Sequence, residues 1–331
     1  MAPPYDAWDR LSDLARRAPS PHNTQPFRLR PRSDSEADLV LLCERLLPVE
    51  DRGNRYVLSS CGLFADALEQ AGRAEGFAVD LRLRDDVDPA ALRLDDGERL
   101  LGTVHLTPGA APDPDAARLL LTRRTSRLPY QPDPVSPDRI AAFMALASSF
   151  GHHLIVPNDP DAVRWVLRQN ARALIDNLQI GDDRREIERW TRLGDTPAHG
   201  DGLWRTPLHQ PAWELRLAFG LPWLFRLPIL SHWAIHRYLA TQTGTPHVAL
   251  LAGPFAAWPD LVRAGRLLGA LWRAMTAAGV YLHPFGSTLT NPHHARIIGE
   301  RFGAADGWLL FRFGHSDVPP EAPRVASVVL R

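Results

Sequence analysis

The sequence predicts an α+β sandwich built in two units, and three observations lead there. Each half of the 331-residue chain mixes a few short strand-like runs with long stretches of helical period. Their order, strand, long helix, loop, helix, strand, is not the regular β–α alternation of a doubly wound sheet, and no G-x-G-x-x-G turn is present. A Pro- and Ala-rich stretch, PGAAPDPD at 108–115, reads as a linker and divides the chain into units 1–115 and 116–331.

Within the first unit, Trp8, Leu11, Leu14 and Ala15 fall at helical spacing over 7–17 and stop before Pro19. PFRLR and ADLVLLCE read as a hairpin across the polar PRSDSE. Residues 56–75 place Val57, Cys61, Phe64, Leu68 and Ala71 on one stripe, a long helix that Gly76 ends. AVDLRLR and LGTVHLTP are two further strands.

The second unit opens with SPDRIAAFMALASSF, a helix with Ser136 at the cap and Pro137 at its first position. HHLIVP is a strand, and DPDAVRWVLRQNARALIDNL a long helix. Residues 181–245 read as irregular and tryptophan-rich, with Trp190, Trp204, Trp213, Trp223 and Trp233 expected to anchor a packed cover or, alternatively, to clamp a substrate. PHVALLAG, PDLVRAGRLLGALWRAMTAAG and GWLLFRFGH then read as strand, helix and strand.

Bulk composition narrows the function. Hydrophobic residues are 45% and charged residues 23%, ordinary for a globular chain, and the formal net charge of zero offers nothing to a nucleic acid. All 38 basic residues are arginine, so Schiff-base and P-loop lysines are excluded and any phosphate must be held by Arg, hydroxyls or backbone N–H groups. Two cysteines, Cys43 and Cys61, make no disulfide framework and fit a reducing cytoplasm. MAPPYDAWDR has no basic run leading into an apolar one, so no signal peptide is expected. The apolar run 215–239 is broken by Arg216, Pro222, Arg226 and Pro228 and reads as a cover or packing segment, with contact to a membrane or greasy substrate the weaker reading and no membrane partner expected.

Two polar stretches can carry chemistry. TRRTSR at 122–127 offers Arg123, Arg124 and Arg127 as a fork of donors suited to a phosphate, with Thr125 and Ser126 adding hydroxyls, unless it is a solvated turn. PSPHNTQPF offers Ser20, His22, Asn23 and Gln25 between Pro19 and Pro26. Asn and Gln each present donor and acceptor in one plane, matching a ring edge of alternating C=O and N–H; the alternative is a turn capped by its own side chains. GHSDV at 314–318 imitates a nucleophile elbow but ends in Val318 where the motif needs Gly. His283, His293 and His294, with Asp306, match no metal spacing, so no metal is expected.

RRTSR and PSPHNTQPF together resemble two boxes of the flavin-dependent nitroreductase superfamily. SSCGLFADALEQAG, DLVRAGRLLGALWRAMTAAGVYLHPFGS and LLFRFGHSDVPPEAPR resemble its long, internally duplicated Acg-like branch, over most of 10–331 apart from 185–245. The resemblance implies a nitroreductase-like sandwich of two fused halves imitating the family homodimer. In the family the Arg box precedes the Asn-Gln box; here the order is reversed, so one FMN per chain is expected between the halves of a monomer. By the same resemblance Arg123 and Thr125 hold the FMN phosphate and ribityl, Arg127 lies by the pyrimidine side, and Arg324 reaches the phosphate. Phe285, Gly286 and Ser287 of HPFGS carry the backbone N–H that faces flavin N5.

The expected activity is that of a cytoplasmic FMN oxidoreductase acting on a small molecule, with NAD(P)H a candidate reductant, ping-pong kinetics and no required acid or base side chain. Two alternatives stay open. The chain holds FMN beneath a 185–245 lid that blocks nicotinamide, or it dehydrogenates a biosynthetic intermediate.

Overall fold

A computed structural model of the chain describes residues 6–194 and 200–330. Residues 1–5, part of the stretch read for a leader, and 195–199, part of the Trp-rich segment, lie outside the described residues.

The first unit follows the hydrophobic pattern closely. Helix α1 (Asp6–Ala15) turns Trp8, Leu11 and Leu14 inward. The hairpin β1 (Phe27–Pro31) and β2 (Glu36–Leu42) leads into α2 (Arg55–Glu75), ended by Gly76 at φ 78°. Strands β3 (Phe77–Leu83) and β4 (Glu98–Pro108) complete an antiparallel sheet of order β1-β2-β4-β3. The stretch read as a linker ends differently: Asp113 caps α3 (Pro114–Thr122), which packs on α1 and α2, so the division at 115 falls inside a helix.

The second unit begins with α4 (Pro137–Ser149), where Ser136 holds the cap position without a side-chain cap bond. After β5 (His153–Ile155) and α5 (Pro160–Gln179), the segment read as irregular is mostly helical. It comprises α6 (Gly181–Trp190), the short pair β6 (Thr191–Arg192) and β7 (Leu203–Trp204), α7 (Arg205–Leu208), α8 (Ala212–Gly220), a 3₁₀ turn Pro222–Arg226 and α9 (Pro228–Ala240). Pro211, Pro222 and Pro228 precede or open helices and do not break them. Apolar residues spread around α8 and α9 and hide the 3.6 period. Strand β8 (His247–Ala252), α10 (Trp258–Ala277), β9 (Tyr281–Pro284), α11 (Gly286–Thr290), α12 (Pro292–Phe302) and β10 (Gly307–Gly314) finish the unit.

The second sheet has order β5-β8-β10-β9, also antiparallel. Counted within each sheet, both orders are first, second, fourth, third. In both, a long helix follows the second strand: α2 in one, α10 in the other. These two helices cross at glycine. A Cβ on Gly62 would stand 2.1 Å from the Val262 carbonyl oxygen, and one on Gly265 would stand 1.8 Å from that of Ser59. Each glycine is the eighth residue of its helix and meets the fifth of the other, a reciprocal contact. Ion pairs Arg266–Glu69 and Arg273–Asp66 flank the crossing.

Two strand edges are used by distant segments. The carboxyl-terminal tail lies beside β1, with Leu29 N–H donating to Val328 and Leu330 N–H to Leu29 at 2.7 and 2.8 Å. Thr125 bridges Leu282 on β9, so the Arg box runs along the edge of the second sheet. Cys43 and Cys61 are buried and unpaired.

Candidate functional site

The tail, the Arg box, the 19–25 loop and α9 enclose one cavity of about 520 Å³, mostly apolar, with Arg17, Arg123, Arg124 and Arg324 at one end. Arg17 follows α1; Arg123 caps the end of α3, its N–H on Leu119 at 3.1 Å; Arg324 comes with the tail. The Arg17 carbonyl accepts from Arg123 at 3.0 Å and from Arg324 at 3.4 Å, drawing both guanidiniums together. Glu321 pairs with Arg17 and, at 3.0 Å, with Arg124. Among the described residues no carboxylate lies within ion-pair distance of Arg123 or Arg324.

The electrostatic consequence is large. Burial, then repulsion from Arg324, Arg124 and Arg17, holds Arg123 well below its ordinary pKa. Burial, then Arg17 and Arg124, takes Arg324 down to about 9. The Arg123 guanidinium lies 4.5 Å over the Trp272 ring, which gives one face some relief. Four buried or half-buried cations that share one carboxylate among the described residues form an anion site with charge left to satisfy.

The other end is polar and carries two buried arginines, Arg127 and Arg312. Arg127 donates to the Pro207 carbonyl at 3.2 Å, and burial takes it down to about 10. His283, on β9, is held well below its ordinary pKa by burial, Arg127 and Arg312, so it stays neutral. Behind it Arg312 is fully buried, 4.2 Å over Tyr130, with its N–H groups on Thr245 and the Leu128 carbonyl. Asn170 links Tyr238 and Thr288 at 2.8 and 2.9 Å. His22 Nε2 lies 2.8 Å from Glu50; burial works against its charge, but Glu50 prevails and raises its pKa.

Of the thirteen residues read from sequence, Ser20, His22, Asn23, Arg123, Arg124, Thr125, Arg127, Phe285, Gly286, Ser287 and Arg324 line this cavity. Two do not. Ser126 is buried against Ser316 at 2.8 Å, and Gln25 binds the Gly200 carbonyl at 2.7 Å while accepting from Val325 N–H at 3.0 Å. Asn23 reaches the cavity, but its amide donates to Gly202 and Pro323 and its oxygen accepts from Arg324. The expected free amide edge is therefore corrected: Asn23 and Gln25 clamp the tail and the 200–202 segment. The reason is backbone geometry. His22, Asn23 and Gln25 stand at φ 47°, 55° and 49°, turns that aim the two amides at the tail.

HPFGS is also not a plain loop. The Phe285 N–H is already donated to Leu310 at 2.7 Å, which removes it as a free donor. Gly286 and Ser287 open α11, so their N–H groups have no preceding helical carbonyl. His294 pairs with Asp176, apart from His283, and no strained elbow forms at Ser316, whose hydroxyl binds its neighbours.

The chain is 28% identical over 283 residues to uncharacterized proteins from two strains of Mycobacterium tuberculosis, covering 81% of this chain and 74% of theirs. Among solved structures it is similar to the FMN-dependent nitroreductase NfnB from Mycobacterium smegmatis in complex with NADPH, at 21% identity, TM-score 0.35, over 63% of this chain and 94% of that one. It is also similar to a nitroreductase with bound FMN from Desulfitobacterium hafniense DCB-2, at 14% identity, TM-score 0.37 and the same coverage. No family model matches the sequence.

Sequence reasoning missed Arg17, Glu321, Trp272, Tyr238 and the Glu50 partner of His22. Arg17 alone carried a signal, standing two residues before Pro19 at the mouth of the polar loop. The others come from elements far apart in the chain, and nothing local marks them.

Proposed function

We propose that the chain is an FMN-dependent oxidoreductase holding one flavin in this cavity. The observation that carries the reading is the arginine quartet: among the described residues Glu321 is its one ion-paired carboxylate, buried Arg123 and half-buried Arg324 have no counter-ion, and a phosphate dianion is the ligand that would satisfy them. The volume falls inside the usual range for small-molecule sites, about 300–1,000 Å³, and the mostly apolar walls suit a flat ring. When bound, the flavin supplies hydride transfer.

The chain's own groups do the rest. Arg17, Arg123, Arg124 and Arg324 grip the phosphate, and Thr125 adds a hydroxyl beside them. Arg127 sets positive charge at the other end, where the polar edge of the ring belongs. The amides of Gly286 and Ser287 are the remaining donors for the ring, and α8 and α9 keep water off it. Both half-reactions share one cavity, so kinetics are ping-pong.

The chain is read as two nitroreductase-like halves of one internally duplicated, Acg-like monomer. The repeated strand order and the reciprocal Gly62–Gly265 crossing support that reading. A second reading, FMN storage beneath a lid, draws on α8 and α9 walling the cavity with Leu215, Phe219, Trp233 and Tyr238. Absorbance of the purified protein followed by anaerobic titration separates the two. A yellow protein bleached by NADPH or NADH is expected. Bleaching by dithionite alone selects storage, bleaching by an organic substrate without nicotinamide selects a dehydrogenase, and failure to take up excess FMN overturns all three.

A further inference from the structure

Among the described residues, six of the twelve exposed large apolar side chains fall within 213–233: Trp213, Leu221, Trp223, Leu227, Ile229 and Trp233. They occupy α8, the 3₁₀ turn and the start of α9. Trp213 and Trp223 are each 56% exposed, Trp233 44% and Ile229 83%. Such clustering is not the scattered exposure of an ordinary surface. The packed aromatic cover expected from sequence is therefore half right: Trp190 and Trp204 are buried, Trp213 and Trp223 face outward, and Trp233 lines the cavity while staying part-exposed.

Along the hairpin itself the charge is one-sided. No acidic residue occurs from 215 to 259, and the exposed Arg216 and Arg226 stand among the apolar side chains. Glu214, the nearest carboxylate in sequence, is taken by Arg237 at 3.0 Å. Tryptophans, branched aliphatics and arginines without acids suit a lipid headgroup layer, where indole rings sit at the interface and guanidiniums meet anionic phosphates. A two-fold contact with a second copy would press this patch on itself, setting arginine against arginine with no carboxylate between them. No helix among the described residues is long and apolar enough to cross a membrane, so the contact would be peripheral.

We propose that the 213–233 hairpin docks the protein on an anionic lipid bilayer surface. The broken apolar run argues against a span; the membrane contact kept from sequence as its weaker reading is the one this exposed surface favours. The inference does not depend on the flavin.

Sedimentation of the full chain with vesicles tests it. The protein is expected to pellet with vesicles of phosphatidylcholine and phosphatidylglycerol in equal parts, to pellet far less with phosphatidylcholine alone, and to be released by salt. Arg216→Gln and Arg226→Gln should each weaken binding about fivefold. Trp223→Ser with Ile229→Ser should abolish it while leaving circular dichroism unchanged, since neither side chain lines the cavity. Ile229→Ser alone serves if the pair fails to fold, and is expected to weaken binding. Wild-type protein that stays in the supernatant, variants that pellet equally, or a solution dimer by light scattering that the double variant splits would each overturn the proposal.

Discussion

Asn23 illustrates how much one side chain depends on its backbone here. At φ 55° it joins His22 and Gln25 in a left-handed region that non-glycine residues rarely enter, at a cost on the order of 1–3 kcal/mol each. Three such residues in four positions are held by the bonds of the Asn23 and Gln25 amides to the tail and the 200–202 segment, by Gln25 N–H on Ser20, and by His22 on Glu50. The arginine quartet makes the sharpest prediction. Arg123→Ala should weaken FMN binding by about 2–5 kcal/mol, because it removes one partner of a buried charge pair; equilibrium titration of the apoprotein reads this directly, and unchanged affinity removes Arg123 from the phosphate site. His22 gives a pH signature. Its folded pKa is raised above 6.5, so its pair with Glu50 contributes stability that is fully present below pH 6.5 and is lost as pH rises through the folded value. Chemical denaturation of wild type and His22→Asn should show the largest gap below pH 6.5 and a shrinking gap above it.

At the scale of elements, the α2–α10 crossing decides between two opposed effects. Alanine in a helix interior is favoured over glycine by about 1 kcal/mol, which alone would make Gly265→Ala stabilising. A Cβ 1.8 Å from the Ser59 oxygen forces the helices apart, and overpacking of this kind costs about 1–3 kcal/mol. The clash is with backbone, which cannot rotate away, so net destabilisation is expected, read as a lower Tm. Gly62→Ala should behave alike, whereas Gly286→Ala, with nothing within 4 Å of its Cβ, should leave Tm near wild type. Elements with one apolar stripe, such as α2, α5 and α10, were readable to within a residue or two. Those with apolar residues all round, α8 and α9, were not, because a helix facing both a cavity and the outside has no single stripe to detect. The short α11 and α12 after β9 were likewise hidden, α11 being only five residues.

At the scale of the whole molecule, the segment 322–330 joins the first sheet to the cavity. The tail pairs with β1, receives Asn23 and Gln25, and carries Arg324 into the quartet. Ending the chain at Glu321 should therefore do two things together: abolish flavin retention, read by absorbance after gel filtration, and bare the β1 edge, read as aggregation by light scattering. Loss of flavin without aggregation would separate the tail's role at the cavity from its role at the sheet.

Local pattern was enough to find most strands and long helices and the two polar stretches that line the cavity, because hydrophobic period, caps and residue chemistry act over a few positions. It could not decide that Asn23 and Gln25 would face the tail, that Phe285 would spend its N–H on Leu310, that Arg17 and Glu321 would join the quartet, or that Trp213 and Trp223 would point outward. Those outcomes depend on which surfaces meet after folding. A side chain's partner across 300 residues, as between Asn23 and Pro323, is set by the packing of two sheets and the path of a tail, and no short window of sequence contains that information.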